Sequence, residues 1–157
     1  MKNWLKIMTL ALLSMAAVGC SEPDSYDDPK LDVTPHNISG EWKLVKFEGA
    51  NPANGSYVYL DIKRQDRKFT EFQNVDNAYG TVRTGVYYIY TDEAHGAVIR
   101  GEYDYGVGQW AHRYKVTLYG RTMVWTALGD DSVVCVYERC EIPEEIASQA
   151  PVEDEEE

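Results

Sequence analysis

Glu102 and Asp104 stand two residues apart in a run of strand character, a spacing that sets both carboxylates on one face. Paired carboxylates hydrolyse a glycosidic bond only when they flank it from opposite sides, so this pair reads as solvated charge. His36, His95 and His112 are scattered, with no metal-ligand spacing to one another or to the cysteines. Asp92-Glu93-Ala94-His95 would need a Gly-rich loop ending in Lys-Ser/Thr to work on a nucleotide, and the chain has none. A Gly-x-Ser-x-Gly nucleophile elbow is missing as well. No reaction follows from these residues. The expectation is a protein that is not an enzyme and uses no metal and no cofactor.

Aromatic side chains carry more. Tyr87, Tyr88 and Tyr90, then Tyr103, Tyr105 and Trp110, concentrate around two loops at the middle of the chain. The segment Asp104-Tyr105-Gly106-Val107-Gly108-Gln109 mixes an aromatic ring, polar groups and flexible glycines. Sugars stack their apolar faces on such rings while amides and carboxylates take the hydroxyls, and small apolar molecules use the same rings as walls. The candidate ligand contacts are Tyr103, Tyr105, Gln109, Trp110 and His112. His112 lies on an otherwise apolar face, where a hydrogen-bonded core role competes with a pocket role.

These residues need a scaffold, and the sequence reads as β throughout. Eight runs of strand character follow one another: Glu41–Glu48, Tyr57–Lys63, Lys68–Gln73, Thr81–Tyr90, Ala97–Tyr103, Trp110–Tyr119, Thr122–Leu128 and Ser132–Cys140. Gly, Asn, Asp and Pro fill the separators, and Gly120-Arg121 and Gly129-Asp130-Asp131 suit tight hairpins. Connections this short leave no room for crossover helices, so neighbours pair antiparallel. The expected fold is all-β, a small up-and-down barrel that closes its own edges and holds either packed side chains or one small ligand. Alternation points Trp110, His112, Tyr114, Val116 and Leu118 inward. It does the same for Ala97, Ile99, Gly101 and Tyr103, for Val82, Thr84, Val86, Tyr88 and Tyr90, and for Met123 and Trp125. Cys135 and Cys140 lie five residues apart, about 16 Å along a strand, beyond disulfide reach.

Charge separates the ends from this middle. The net charge is −11, yet residues 33–140 hold 13 acids against 12 bases. The acidity sits in Ser21–Asp32, with five acids and only Lys30, and in Glu141–Glu157, with eight acids and no base. Such segments bury too little apolar surface to fold, and disorder is expected in both. No basic patch stands out that would favour nucleic acid. Ahead of them, Lys2 and Lys6 precede the apolar run Ile7–Val18, which suits a signal peptide and is too short to span a bilayer.

Ala17-Val18-Gly19-Cys20 at the end of that run resembles the lipobox of bacterial lipoproteins. The resemblance implies cleavage before Cys20, acylation of its thiol and amine, and near-permanent attachment to a membrane. The acids after it, Glu22, Asp24, Asp27 and Asp28, resemble the export signal that sends some lipoproteins of Gram-negative gut bacteria to the cell surface. The periplasmic face of the outer membrane is the alternative. The organisation is then a signal peptide (1–19), an acidic tether (20–35), a barrel (36–140) and an acidic tail (141–157).

Gly40-Glu41-Trp42 at the start of the first strand resembles the opening of lipocalins and fatty-acid-binding proteins. The resemblance extends to lipocalin-like lipoproteins of gut commensals. It implies that Trp42 plugs one end of the barrel under a basic side chain, Arg139 or, as runner-up, Arg121. This chain is shorter than a lipocalin and shows no helix before the last strand, which argues against a large lipid-filled cavity. Two functions follow as expectations. One is a surface lipoprotein that binds a small apolar ligand or glycan fragment beside nutrient uptake; the other is a filled barrel that contacts an envelope protein through its surface. Asp131-Ser132-Val133 also matches a short bacterial O-glycosylation pattern at Ser132.

Overall fold

The computed structural model describes residues 28–75, 77, 79–106 and 108–151. The signal peptide and Cys20 lie outside the described residues. Among them the chain is all-β: an eight-stranded antiparallel barrel with one short strand added outside. The barrel strands are β2 (Gly40–Phe47), β3 (Val58–Ile62), β4 (Lys68–Gln73), β5 (Thr81–Asp92), β6 (Gly96–Tyr103), β7 (Tyr114–Tyr119), β8 (Thr122–Ala127) and β9 (Val134–Arg139). Each pairs with its neighbours in sequence, and β9 returns to β2 to complete the ring. Closure leaves the barrel itself without an unpaired edge.

Register fixes which side chains face inward. Trp42 opposes Leu60, Leu60 opposes Glu71, Glu71 opposes Arg83, and Phe69 opposes Gly85. Further round, Gly85 opposes Tyr103, Tyr87 opposes Gly101, Ile99 opposes Tyr114, and Val116 opposes Trp125. The interior of β5 is thus Arg83, Gly85, Tyr87 and Ile89, the opposite face from the one expected. The cause lies in two partners. Gly85 leaves room for the Phe69 ring, whose Cε1 would stand 2.8 Å from an added Cβ. Inside, the Tyr87 hydroxyl donates to the Lys63 carbonyl at 3.0 Å. Tyr88 is instead 41 % exposed, and the Arg100 guanidinium lies 4.4 Å from its ring centre on the outer wall.

The sixth run also differs. Only Tyr114–Tyr119 forms strand, because Trp110 turns back to donate its backbone N–H to the Gly101 carbonyl. Residues 104–113 therefore make a loop folded against β6.

Hairpins alternate between two ends. Turns 63–67, 93–95 and 120–121 share one end with the start of β2; loops 48–57, 74–80, 104–113 and 128–133 share the other. The first end is closed by α1 (Pro35–Ile38), a single turn with Pro at its start and Thr34 as cap, accepting from the Asn37 N–H at 3.1 Å. Ile38 is fully buried there, and its carbonyl accepts from the Trp42 indole at 2.8 Å. Arg139 lies 4.1 Å from the centre of the Trp42 ring system and donates to the carbonyls of Asn37, Ser39 and Gly120. Arg121, the runner-up, is exposed.

The folded body reaches past residues 36–140 at both ends. Lys30–Leu31 (β1) pairs with Tyr119 and Leu118, continuing the sheet where β6 has already ended. After β9, Ile142 is buried on the outer wall with Tyr59 and Phe72, and α2 (Glu144–Ala147) follows it. Ile142, Ile146, Ala147 and Ala150 form one apolar stripe against the sheet, and the Ile142 N–H donates to the Glu41 carboxylate at 2.7 Å. The tail expected to be disordered is thus ordered up to about Ala150, while residues 152–157 lie outside the described residues. Cys135 and Cys140 are free thiols, buried and half-buried.

Candidate functional site

From the Trp42 end toward the 104–113 loop, the interior holds a continuous group of rings. Phe69 lies 5.0 Å from Trp110 and 5.8 Å from Tyr103, both edge-on. Trp110 lies 5.2 Å from Trp125, which in turn lies 5.4 Å from Tyr114 and 5.0 Å from Tyr137. Gly101 makes this possible. A Cβ there would stand 2.2 Å from the Trp110 Cε2, so the indole lies flat on the glycine backbone. The small inward position thus holds Trp110.

Two charged groups share this interior. Glu71 and Arg83 oppose each other across β4 and β5 and pair at 3.5 Å, with the Arg83 guanidinium 5.8 Å from the Tyr103 ring centre. Burial pushes the hydroxyls of Tyr114 and Tyr137 well above the usual tyrosine range, and the Glu71 carboxylate adds to the effect. Burial likewise raises the Cys135 thiol to about 11, so it is an unreactive core residue.

Two polar atoms in this group have no partner. The indole Nε1 atoms of Trp110 and Trp125 are both buried and make no hydrogen bond. Trp42 at the closed end is satisfied, by contrast, through Ile38. An unpaired buried donor costs about 1–3 kcal/mol, and here two belong to rings whose centres lie 5.2 Å apart. Polar groups of that kind mark a place for an acceptor atom.

The sequence candidates divide. Tyr103 and Trp110 are part of the ring group, and His112 sits at its rim, 5.8 Å from Tyr114. Tyr105 is 82 % exposed on the loop tip, turned away from the interior. Gln109 is exposed and reaches Glu102 on the outer wall at 3.5 Å. Glu71, Arg83, Phe69 and Tyr137 complete the group and escaped the sequence reading. The alternation of Phe69, Glu71 and Gln73 on one strand face is the signal that could have found the acid.

The remaining sequence features lie outside this group. His95 and Asp92 do pair at 2.7 Å, but within an exposed turn at the closed end. The Asp92 carboxylate also accepts the Ala94 and His95 N–H groups, and these bonds, led by His95, hold it below the usual carboxylate range. That motif closes the β5–β6 hairpin. Glu102 is bound to Arg100 at 2.9 Å on the outer wall. Ser132 is exposed and donates its hydroxyl to Asp130 within the β8–β9 turn. Among the described residues, no three His, Cys, Asp or Glu side chains gather to hold a metal. No family model matches the chain, and comparison with curated proteins finds no match.

Proposed function

We propose that this chain is a lipid-anchored envelope protein, a non-catalytic barrel of lipocalin type that takes one small neutral, oxygen-rich ligand at its mouth. A sugar residue at the end of a glycan fits that description. The observation that carries the reading is the adjacent pair of buried, unpartnered indole N–H groups of Trp110 and Trp125. Ring oxygens or hydroxyls would satisfy both donors, while the flanking rings take the C–H faces of the sugar.

Charge argues for neutrality. Arg83 already faces Glu71, so an acid entering here would meet the Glu71 carboxylate. Packing argues against a long acyl chain, since Phe69, Trp110, Trp125 and Tyr137 occupy the volume such a chain needs. The lipobox-like Cys20 and the acids behind it support display at the outer membrane, in reach of glycans outside the cell.

The test is native mass spectrometry of the protein taken gently from its host's envelope. A discrete extra mass of one or a few sugar residues, lost on denaturation, is expected. A bare protein mass would favour the second reading that the packed interior supports: a filled barrel that contacts an envelope partner through its outer wall.

A further inference from the structure

The turn between β3 and β4 packs four cations into six residues, Lys63, Arg64, Arg67 and Lys68, against the single acid Asp66, and all of it is exposed. Its backbone is costly. Asp66 and Arg67 both hold φ of 54°, a left-handed conformation that side chains larger than glycine rarely adopt. Tyr87 fixes it from inside the barrel: its hydroxyl donates to the Lys63 carbonyl at 3.0 Å and interacts with the Arg67 side chain. A strained turn held to present cations needs an anionic partner.

Position says which one. The described chain begins at Asp28, whose carboxylate accepts the Arg121 N–H at 2.9 Å in the β7–β8 turn. That turn lies at the same closed end of the barrel as the 63–68 turn, on the opposite wall. Asp28 is eight residue steps after Cys20, which limits the reach to about 28 Å even when fully extended. A lipid on Cys20 would therefore keep the closed end within about 28 Å of the bilayer. We propose that the 63–68 turn is a headgroup-binding surface, docking the closed end on anionic lipid of the membrane that carries the anchor.

Other charges at this end cancel part of the turn. Asp61 pairs with Lys63 at 2.7 Å and Asp66 offsets a second cation, so the turn keeps two net positive charges; Asp28 and Asp92 accept backbone N–H groups of Arg121 and His95, and Asp32 and Glu93 are exposed in neighbouring segments. The free protein would still be repelled, because the tether and tail carry most of its net negative charge. The attraction matters once the anchor confines the barrel at the surface, where each cation contributes about fivefold. The inference rests on the anchor part of the proposed function and is independent of any ligand in the mouth.

Trypsin reads it directly. The lipidated protein is reconstituted on vesicles of phosphatidylcholine with or without phosphatidylglycerol, and cleavage after Arg67 and after Arg113 is timed by mass spectrometry. Arg113 is exposed at the end of the 104–113 loop, where its guanidinium donates to the Tyr90 hydroxyl at 3.2 Å on the outer wall, and serves as internal control. Phosphatidylglycerol is expected to slow cleavage at Arg67 by about 25-fold or more, and at Arg113 by less than about twofold. The pair Arg64→Gln and Lys68→Gln removes two cations and about 25-fold of that protection. Equal rates at Arg67 on both vesicles, or equal protection at Arg113, would overturn the proposal. Failure of the anchor itself looks different: the protein would carry no acyl mass on Cys20 and would not float with the vesicles.

Discussion

Gly101→Ala tests how the mouth is packed. In an ordinary strand this change helps by about 0.5–1 kcal/mol, because alanine loses less backbone freedom. Here the new Cβ would lie 2.2, 2.5 and 2.6 Å from three atoms of the Trp110 indole. Ordinary contact needs roughly 3.5 Å or more, so the ring must move by over about 1 Å. Phe69 and Trp125 stand behind it with ring centres at 5.0 and 5.2 Å, and neither leaves that space. The indole is therefore expelled. Losing on the order of 150 Å² of buried ring costs about 4 kcal/mol. Rehydration of its orphaned N–H returns about 1–3 kcal/mol, which leaves a net loss of about 1–3 kcal/mol. Urea unfolding should show a lower midpoint, and tryptophan emission should shift to the red as Trp110 meets water. The double-mutant cycle isolates the cause. In a Trp110→Ala background, Gly101→Ala should become neutral or slightly stabilising. An unchanged midpoint and emission in the single variant would refute this account of the mouth.

Arg139→Ala removes three hydrogen bonds to carbonyls and the contact with Trp42; at about 1 kcal/mol each, thermal and urea unfolding should report a loss of about 4 kcal/mol. Arg139→Lys keeps a charge but not the three-way fork, and roughly half that loss is expected; a lysine variant as stable as wild type would contradict the closure. Ile142→Ala should cost about 2–3 kcal/mol by opening the packing against Tyr59 and Phe72, whereas a disordered tail would give no change. Alkaline pH should unfold the barrel. The Cys135 thiol and the hydroxyls of Tyr87, Tyr114 and Tyr137 are held neutral by burial. Their contribution is complete below the ordinary values and fades as pH rises; for Cys135 the window runs from 9.0 to about 11. Phenolate absorbance from the buried hydroxyls should therefore rise together with loss of β circular dichroism, and complete tyrosine ionisation with the fold intact would contradict this.

The barrel was legible because its signal is local. The run Lys68–Gln73 coincides with β4, and Gly, Asn, Asp or Pro mark the hairpins other than the cationic β3–β4 turn. The Gly-x-Trp opening led to Trp42 and to a basic partner, and Arg139 stands over that ring. The inward face of β5 was harder, because apolar and aromatic residues occupy both faces from Val82 to Tyr90 and only pairing with Phe69 and Glu71 decides between them. Trp110 read as strand because its ring is apolar and its neighbours alternate. Its position instead depends on Gly101, nine residues earlier, which no local period reveals. The Glu71–Arg83 pair joins two strands through register, and charged residues in mid-strand ordinarily read as outward-facing. At the C-terminus, eight acids masked a four-residue apolar stripe that the sheet recognises.

The ligand reading is tested most directly by the indole N–H signals of the mature protein in a proton–nitrogen correlation spectrum. Cleavage before Cys20 would leave three tryptophans, and each plays a different part. Methyl glycosides of common hexoses and of N-acetylglucosamine are titrated, with glucuronic acid and a fatty acid for comparison. The account predicts that a neutral glycoside moves the Trp110 and Trp125 signals together, as both donors acquire acceptors, and leaves Trp42, bonded to Ile38, where it was. Stationary Trp110 and Trp125 signals across all the neutral sugars, or a response only to the acid or the fatty acid, would contradict it.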